Sequence, residues 1–224
     1  TSIGDISVGQ NSWAESISVA GGVTSGNIQV TSQTGSVMTT GEIISASTGG
    51  RAGHVDITAH NEVILGVGSD RAVIESFGVD NGGNITITTI IGDIDASQGS
   101  LNSISEEGAA GRVQLEAGGN ITVGTDDFGD AIYAGGTRQK GGDITLTSNT
   151  GTITLVGELD SISDEGSAGN IVVRAVGDVI LGSDLADPDT IGAAVSSTGG
   201  QTSGAISITS ETGVIDASAG GLIS

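Results

Sequence analysis

Carboxylates dominate the reactive side chains of this sequence: 27 Asp and Glu stand against 6 Lys and Arg, with two histidines and no cysteine. Two motifs carry paired acids, Ser103-Ile104-Ser105-Glu106-Glu107-Gly108 and Ser161-Ile162-Ser163-Asp164-Glu165-Gly166. A second set of acids follows aliphatic-glycine steps, at Asp70, Asp126, Asp127 and Asp184. Such turns offer the carboxylate and carbonyl oxygens that Ca²⁺ prefers, so these eight residues are the candidate calcium ligands, and calcium is the one cofactor considered. A facing pair of carboxylates is also what glycoside cleavage needs, one as acid and one as base or nucleophile.

Other residues argue against catalysis. Sugar subsites are usually aromatic or basic, yet the aromatics are only Trp13, Phe77, Phe128 and Tyr133, and the cations are scattered at Arg51, Arg71, Arg112, Arg138, Lys140 and Arg174. No enzyme activity is expected. Neither an Asp-x-Asp-x-Asp-Gly loop nor a Gly-Gly-x-Gly-x-Asp nonapeptide is present. His54 and His60 have no third ligand nearby in sequence, and Gly66-Val67-Gly68 lacks the following helix that a phosphate loop requires. The formal net charge of -21 repels nucleic-acid backbones and anionic lipid, so neither is an expected partner. No apolar run approaches the roughly 20 residues of a membrane span.

The elements that hold these residues are read from a repeat. Gly, a variable residue and an alternating aliphatic pair recur at Gly26, Gly53, Gly83, Gly111, Gly142, Gly169 and Gly204, at intervals of 27, 30, 28, 31, 27 and 35 residues. Each interval contains three short runs of period two bounded by Gly, Ser, Asn and Asp, the pattern of strands. In the unit from Gly142 these are Ile144-Thr145-Leu146, Ile153-Thr154-Leu155 and Leu159 to Ile162. Three strands in about 30 residues cannot bury a face alone and must stack on their neighbours. The expected fold is therefore all-β, a right-handed three-faced parallel β-helix of about seven to eight coils, read as a single solenoid over residues 1–224.

The first face should bury Ile28, Val30 and their counterparts through Ile206 and Ile208, the second Ile6, Val8 and theirs through Ile215 and Ala217. For the third face the aliphatic residues Ile17, Val19, Ile44, Ile74, Leu101, Ile104, Ile132, Leu159, Ile162 and Val195 are placed inside. Coils also alternate in kind. One kind carries Thr-Gly or a variant after its first strand, as at Thr34-Gly35, Ile91-Gly92, Thr150-Gly151 and Thr212-Gly213; the other ends its second strand in Gly, as at Gly9, Gly66, Gly124 and Gly182. Thr86/Thr88 and Thr145/Thr147 would form an ice-binding face only if every rung repeated them, and the intervening Gln114/Glu116 breaks the array. The sequence offers no polar cap at either end. The reading is that further coils flank it or that ends meet end-to-end, so the expected partners are the chain itself and flanking coils.

Gly-Asn-Ile-Thr-Ile-Thr followed by Gly-Asp-Ile-Asp-Ala-Ser, from Gly83 to Ser97, and Gly-Gly-Asp-Ile-Thr-Leu-Thr with Thr-Gly-Thr-Ile, from Gly141 to Ile153, resemble the shaft repeats of filamentous-haemagglutinin-like proteins of two-partner secretion, cyanobacterial versions in particular. The resemblance implies an extracellular or outer-surface bacterial fibre serving adhesion, aggregation or biofilm matrix, with surface glycans or other cells as partners. Two alternatives stand beside it: a carbohydrate-active β-helix enzyme of the polysaccharide lyase or hydrolase kind, and a calcium-dependent surface-layer or matrix protein.

Overall fold

The computed structural model of the chain describes residues 1–9, 15–124, 130–182 and 194–224. They form three parallel sheets and no helix, wound into a three-faced β-solenoid of about seven coils. The first sheet has seven strands, Ile28–Thr31, Val55–Ala59, Ile85–Thr89, Val113–Ala117, Ile144–Ser148, Ile171–Ala175 and Ile206–Ser210. Each begins two residues after a glycine of the repeat. The second has eight strands, running from Ile6–Val8 to Ile215–Asp216, and the third has eight, from Glu15–Gly21 to Gly221–Ile223. Every strand pairs with its counterpart one coil away, in order, so the sequence period becomes the rung spacing of about 4.8 Å.

The period-two pattern fills the interior of the first two faces as expected. Val55, Ile57, Ile85, Ile87, Val113, Leu115, Ile144, Leu146, Ile171 and Val173 are buried on the first face, and Val37, Val63, Leu65, Ile94, Ile121, Val123, Ile153, Leu155 and Val179 on the second. Ile6, Val8, Ile206 and Ile208 pack against this core with part of their surface exposed. Ile215 stays 49% exposed, because its strand pairs on one side only.

The third face corrects the sequence reading. Ile17, Ile74, Leu101, Ile132, Leu159 and Val195 do point inward, but Ile44, Ile104 and Ile162 point out. Ile43, Ser45, Ser103 and Ser161 take the inward places and are fully buried. The hydroxyl wins over the aliphatic because two backbone groups need it. Each inward serine donates to the carbonyl of the glycine that opened its own coil and accepts from the N–H of the glycine opening the next. Ser103, for example, bonds Gly83 O at 2.9 Å and Gly111 N at 2.8 Å. The same staple recurs at Ser45, Ser76, Ser161 and Ser197, and a buried polar group with both partners supplied carries no desolvation penalty of its own. One rung has Ala134 there, and Gly142 N–H turns to the Ala134 carbonyl at 3.1 Å instead.

The repeat glycines are fixed by this corner. A Cβ on Gly53, Gly83, Gly111, Gly142, Gly169 or Gly204 would stand 1.9–2.4 Å from the carbonyl oxygen of the repeat glycine one coil earlier. Two other corners carry the alternation of coil kinds. After the first strand, Ser32, Thr89, Ser148 and Ser210 bond a turn glycine, while the coils between place Ala59, Ala117 and Ala175 at those rungs. After the third strand, Ser47, Ser105 and Ser163 alternate with Gly78, Gly136 and Gly199. The glycines that end second strands are left-handed at Gly9, Gly66 and Gly182, with φ of 86°, 78° and 78°.

Candidate interaction surfaces

The two acid pairs lie at the corner between the third and first faces. Glu107 N–H bonds the Val79 carbonyl, Thr137 N–H the Ser105 carbonyl and Glu165 N–H the Thr137 carbonyl, so the turn of Thr137 and Arg138 stands between the pairs. That intervening rung supplies a cation that sequence spacing did not reveal as a partner: Arg138 donates to Glu107 Oε2 at 3.0 Å, with both side chains more than half exposed. Beside them Arg51, Asp80, Asn81, Glu107 and Gln139 line an open polar hollow of about 330 Å³. Of the second acid row, Asp70 closes a tight turn through two backbone bonds with Val67, at 2.7 and 3.0 Å. Asp126, Asp127 and Asp184 lie outside the described residues, as do Asp187, Pro188 and Asp189 of the longest repeat interval, from Gly169 to Gly204. Among the described residues no group of three or more His, Asp or Glu is placed to hold a metal ion.

Several other acids and amides serve the backbone. The residue after the repeat glycine offers an acceptor to the next coil's N–H: Asn27 to His54, Asn84 to Arg112, Asp143 to Asn170 and Asn170 to Ala205, all at 2.8–2.9 Å. His54 belongs to the same ladder, its Nδ1 accepting the Asn84 N–H at 2.9 Å, which gives it a structural role. A parallel ladder before the second strand runs from Asp93 to Asn120 and Thr152, with Asp5 on Ser36 and Asp178 on Val214. Asn84 and Asn120 thus spend their amide oxygens on neighbouring coils.

Partial burial acts to raise the Asp143 carboxyl, but the Lys140 ammonium at 2.9 Å, the Asn170 N–H and Arg112 together hold it below its usual range. A depressed carboxylate contributes stability at neutral pH and loses it as pH falls through the folded-state value. The Asp143→Asn variant keeps the acceptor for Asn170 and loses only the charge. Urea melts at pH 7 should show a loss below about 1 kcal/mol, as for other exposed ion pairs, shrinking toward zero near pH 3.

The outward side of the third face differs from that of the first, while the second also turns Met38, Ile64 and Ile180 outward, among Ser7, Asp95, Thr122, Thr154 and Asp216. The first face presents Gln29, Asp56, Thr86, Gln114, Thr145, Val172 and Ser207 in one column, and Thr86/Thr88 and Thr145/Thr147 are separated by Gln114/Glu116 as the sequence implied. The third face instead stacks Ala46, Phe77, Ile104, Gly135 and Ile162 in register. A Cβ on Gly135 would meet the Tyr133 ring at 2.2 Å, so the tyrosine lies across that rung and fills the column. Beside it run Ile44, Glu75, Asn102, Tyr133, Asp160 and Ser196. Burial, and then the Glu42 carboxylate, push the Glu75 carboxyl above its usual range. Among the described residues no helix is long and apolar enough to cross a membrane. No protein-family profile matches the chain, and neither the curated proteins nor the solved structures include a detectable relative.

Proposed function

We propose that the chain is a shaft: a structural segment of a secreted or cell-surface bacterial adhesin or extracellular fibre. The observation that carries this reading is the stapling of consecutive coils. Serine hydroxyls and Asn or Asp oxygens tie one coil's backbone to the next at corner after corner, in addition to the sheet ladders. Such a solid resists bending and carries load along its axis. The acidic surface favours solubility and spacing from other polyanions. The outermost strands of each sheet pair on one side only, and a parallel edge accepts a further coil, whether from the same chain or from a second copy. Adhesion would then come from what the shaft displays, with surface glycans or other cells as its targets.

Electron microscopy of the purified chain tests this. Rigid rods or end-joined filaments, unchanged by millimolar EDTA and with an unchanged melting temperature, are the expected result. Dissolution by EDTA would favour the calcium-dependent matrix reading. Compact particles that release reducing ends from a polysaccharide would overturn the shaft in favour of an enzyme.

A further inference from the structure

Besides the aliphatic side chains that it buries, the third face carries a second set of apolar side chains on its outer surface. Serines occupy one of its two inward columns, while Phe77, Ile104, Tyr133 and Ile162 line up outside over four successive rungs, about 14 Å from first to last at the strand spacing. The inward serines are explained by the corner staples, but nothing in the coil requires the outer residues to be apolar: apart from Val172, the first face fills the matching outward column with Thr, Gln, Ser and Asp in the same geometry. A local choice that the fold does not need is where function is expected.

Acids border this stripe on both sides. Glu75 lies two residues before Phe77 on the same strand, with Glu42 one coil away, and Glu106 and Asp164 lie two residues beyond Ile104 and Ile162. Glu75 stands about 7 Å along the strand from Phe77, and Glu106 and Asp164 stand just past the strand ends at Ser105 and Ser163, in the corner turn, so acids flank the apolar midline on both sides. The cations nearest the corner, Arg138 and Lys140, are already engaged with Glu107 and Asp143. Another copy of this chain, at a net charge of -21, is a poor lateral partner for such a surface.

We infer that the outer third face is a docking stripe for a cationic amphipathic helix lying along the solenoid axis. A helix about 10 Å across laid on the stripe would have Lys or Arg on its two flanks facing Glu75 on one side and the corner acids Glu106 and Asp164 on the other. Its pitch of about 5.4 Å nearly matches the rung spacing of about 4.8 Å, so one apolar side chain per turn meets one rung over the four rungs. Neutralisation of crowded carboxylates gives specificity, and the apolar stripe gives the water-excluded contact.

The test is a fluorescence-anisotropy titration of the intact chain with a labelled 18-residue Leu-Lys peptide whose leucines fall on one helical face, beside a scrambled peptide of the same composition. The amphipathic peptide should bind at least tenfold tighter. F77S/I104S should weaken it at least tenfold with the far-UV spectrum unchanged. E106K/D164K should weaken it more than D56K/E116K, which makes the same charge change on the first face and also controls for loss of folding. Equal binding of the scrambled peptide, or equal loss from both charge variants, would reduce the effect to net charge and overturn the proposal. So would concentration-dependent dimers that F77S/I104S abolishes, which would make a second copy the occupant. Binding of a neutral cello-oligosaccharide to the same residues in place of the peptide would overturn it too.

Discussion

Gly111→Ala is expected to cost more than about 3 kcal/mol and to lower the melting temperature by at least about 6–12 °C, beyond the usual range for a single methyl group. Its Cβ would stand 2.3 Å from the Gly83 carbonyl oxygen and 2.4 Å from the carbonyl carbon. The obstacle is backbone held in three sheets, so it cannot rotate aside as a side chain would. Relief requires the coils on either side of Gly111 to part, which lengthens the Ser103 staple and the strand pairing between Ile85–Thr89 and Val113–Ala117. Gly22 is the control: a Cβ there meets nothing within 4 Å, and Gly22→Ala should stay within about 0.5 kcal/mol of the parent. Calorimetry or urea unfolding reads both. Equal effects would mean that the repeat glycine is fixed by something other than close coil approach.

Ser103→Val is expected to cost about 2–5 kcal/mol, although it makes the interior more apolar. The substitution puts two methyl groups in place of the hydroxyl, which leaves the Gly111 N–H and the Gly83 carbonyl buried without the partner that held both. Each orphaned backbone group costs about 1–3 kcal/mol. Ser103→Ala should cost less than the valine variant, because the Ala134 rung shows how alanine lets the next glycine N–H reach the strand carbonyl. Ser196→Val, on the outward column of the same sheet, should be nearly neutral. If the interior valine proved stabilising, transfer of apolar surface rather than the staple would govern this corner.

The first and second faces were legible because their inward positions are almost all aliphatic, the buried Thr39 being an exception, and their outward ones mostly polar, so period two decides the register. The third face defeated that rule at Ile44, Ile104 and Ile162. Hydropathy ranks isoleucine above serine for burial and has no term for a hydroxyl that satisfies two glycines. The missing signal was nevertheless present: an aliphatic residue, then a serine two positions on, then a glycine seven or eight residues later, as in Leu101, Ser103 and Gly111 or Val195, Ser197 and Gly204. The acid rows show the opposite limit. Their spacing two rungs apart was readable, but the ion pair of Glu107 with Arg138 joins residues 31 apart, and only the length of the intervening coil brings them together. The acceptor ladder of Asn27, His54, Asn84, Asp143 and Asn170 occupies a single place after each repeat glycine, and residues of three chemical types hid its common role.

The alternation of Ser105 and Ser163 with Gly78, Gly136 and Gly199 limits how such a gene can change in size. Loss of a single coil by unequal recombination would bring two serine rungs or two glycine rungs into contact. Loss or gain of a coil pair restores every neighbour relation. Recurring positions of like kind, such as Gly26 and Gly83 or Gly111 and Gly169, are 57 and 58 residues apart, so viable length variants should form a ladder with steps near that size. The reach of the molecule is thereby set by copy number, adjustable by inheritance in whole increments without redesign of any contact.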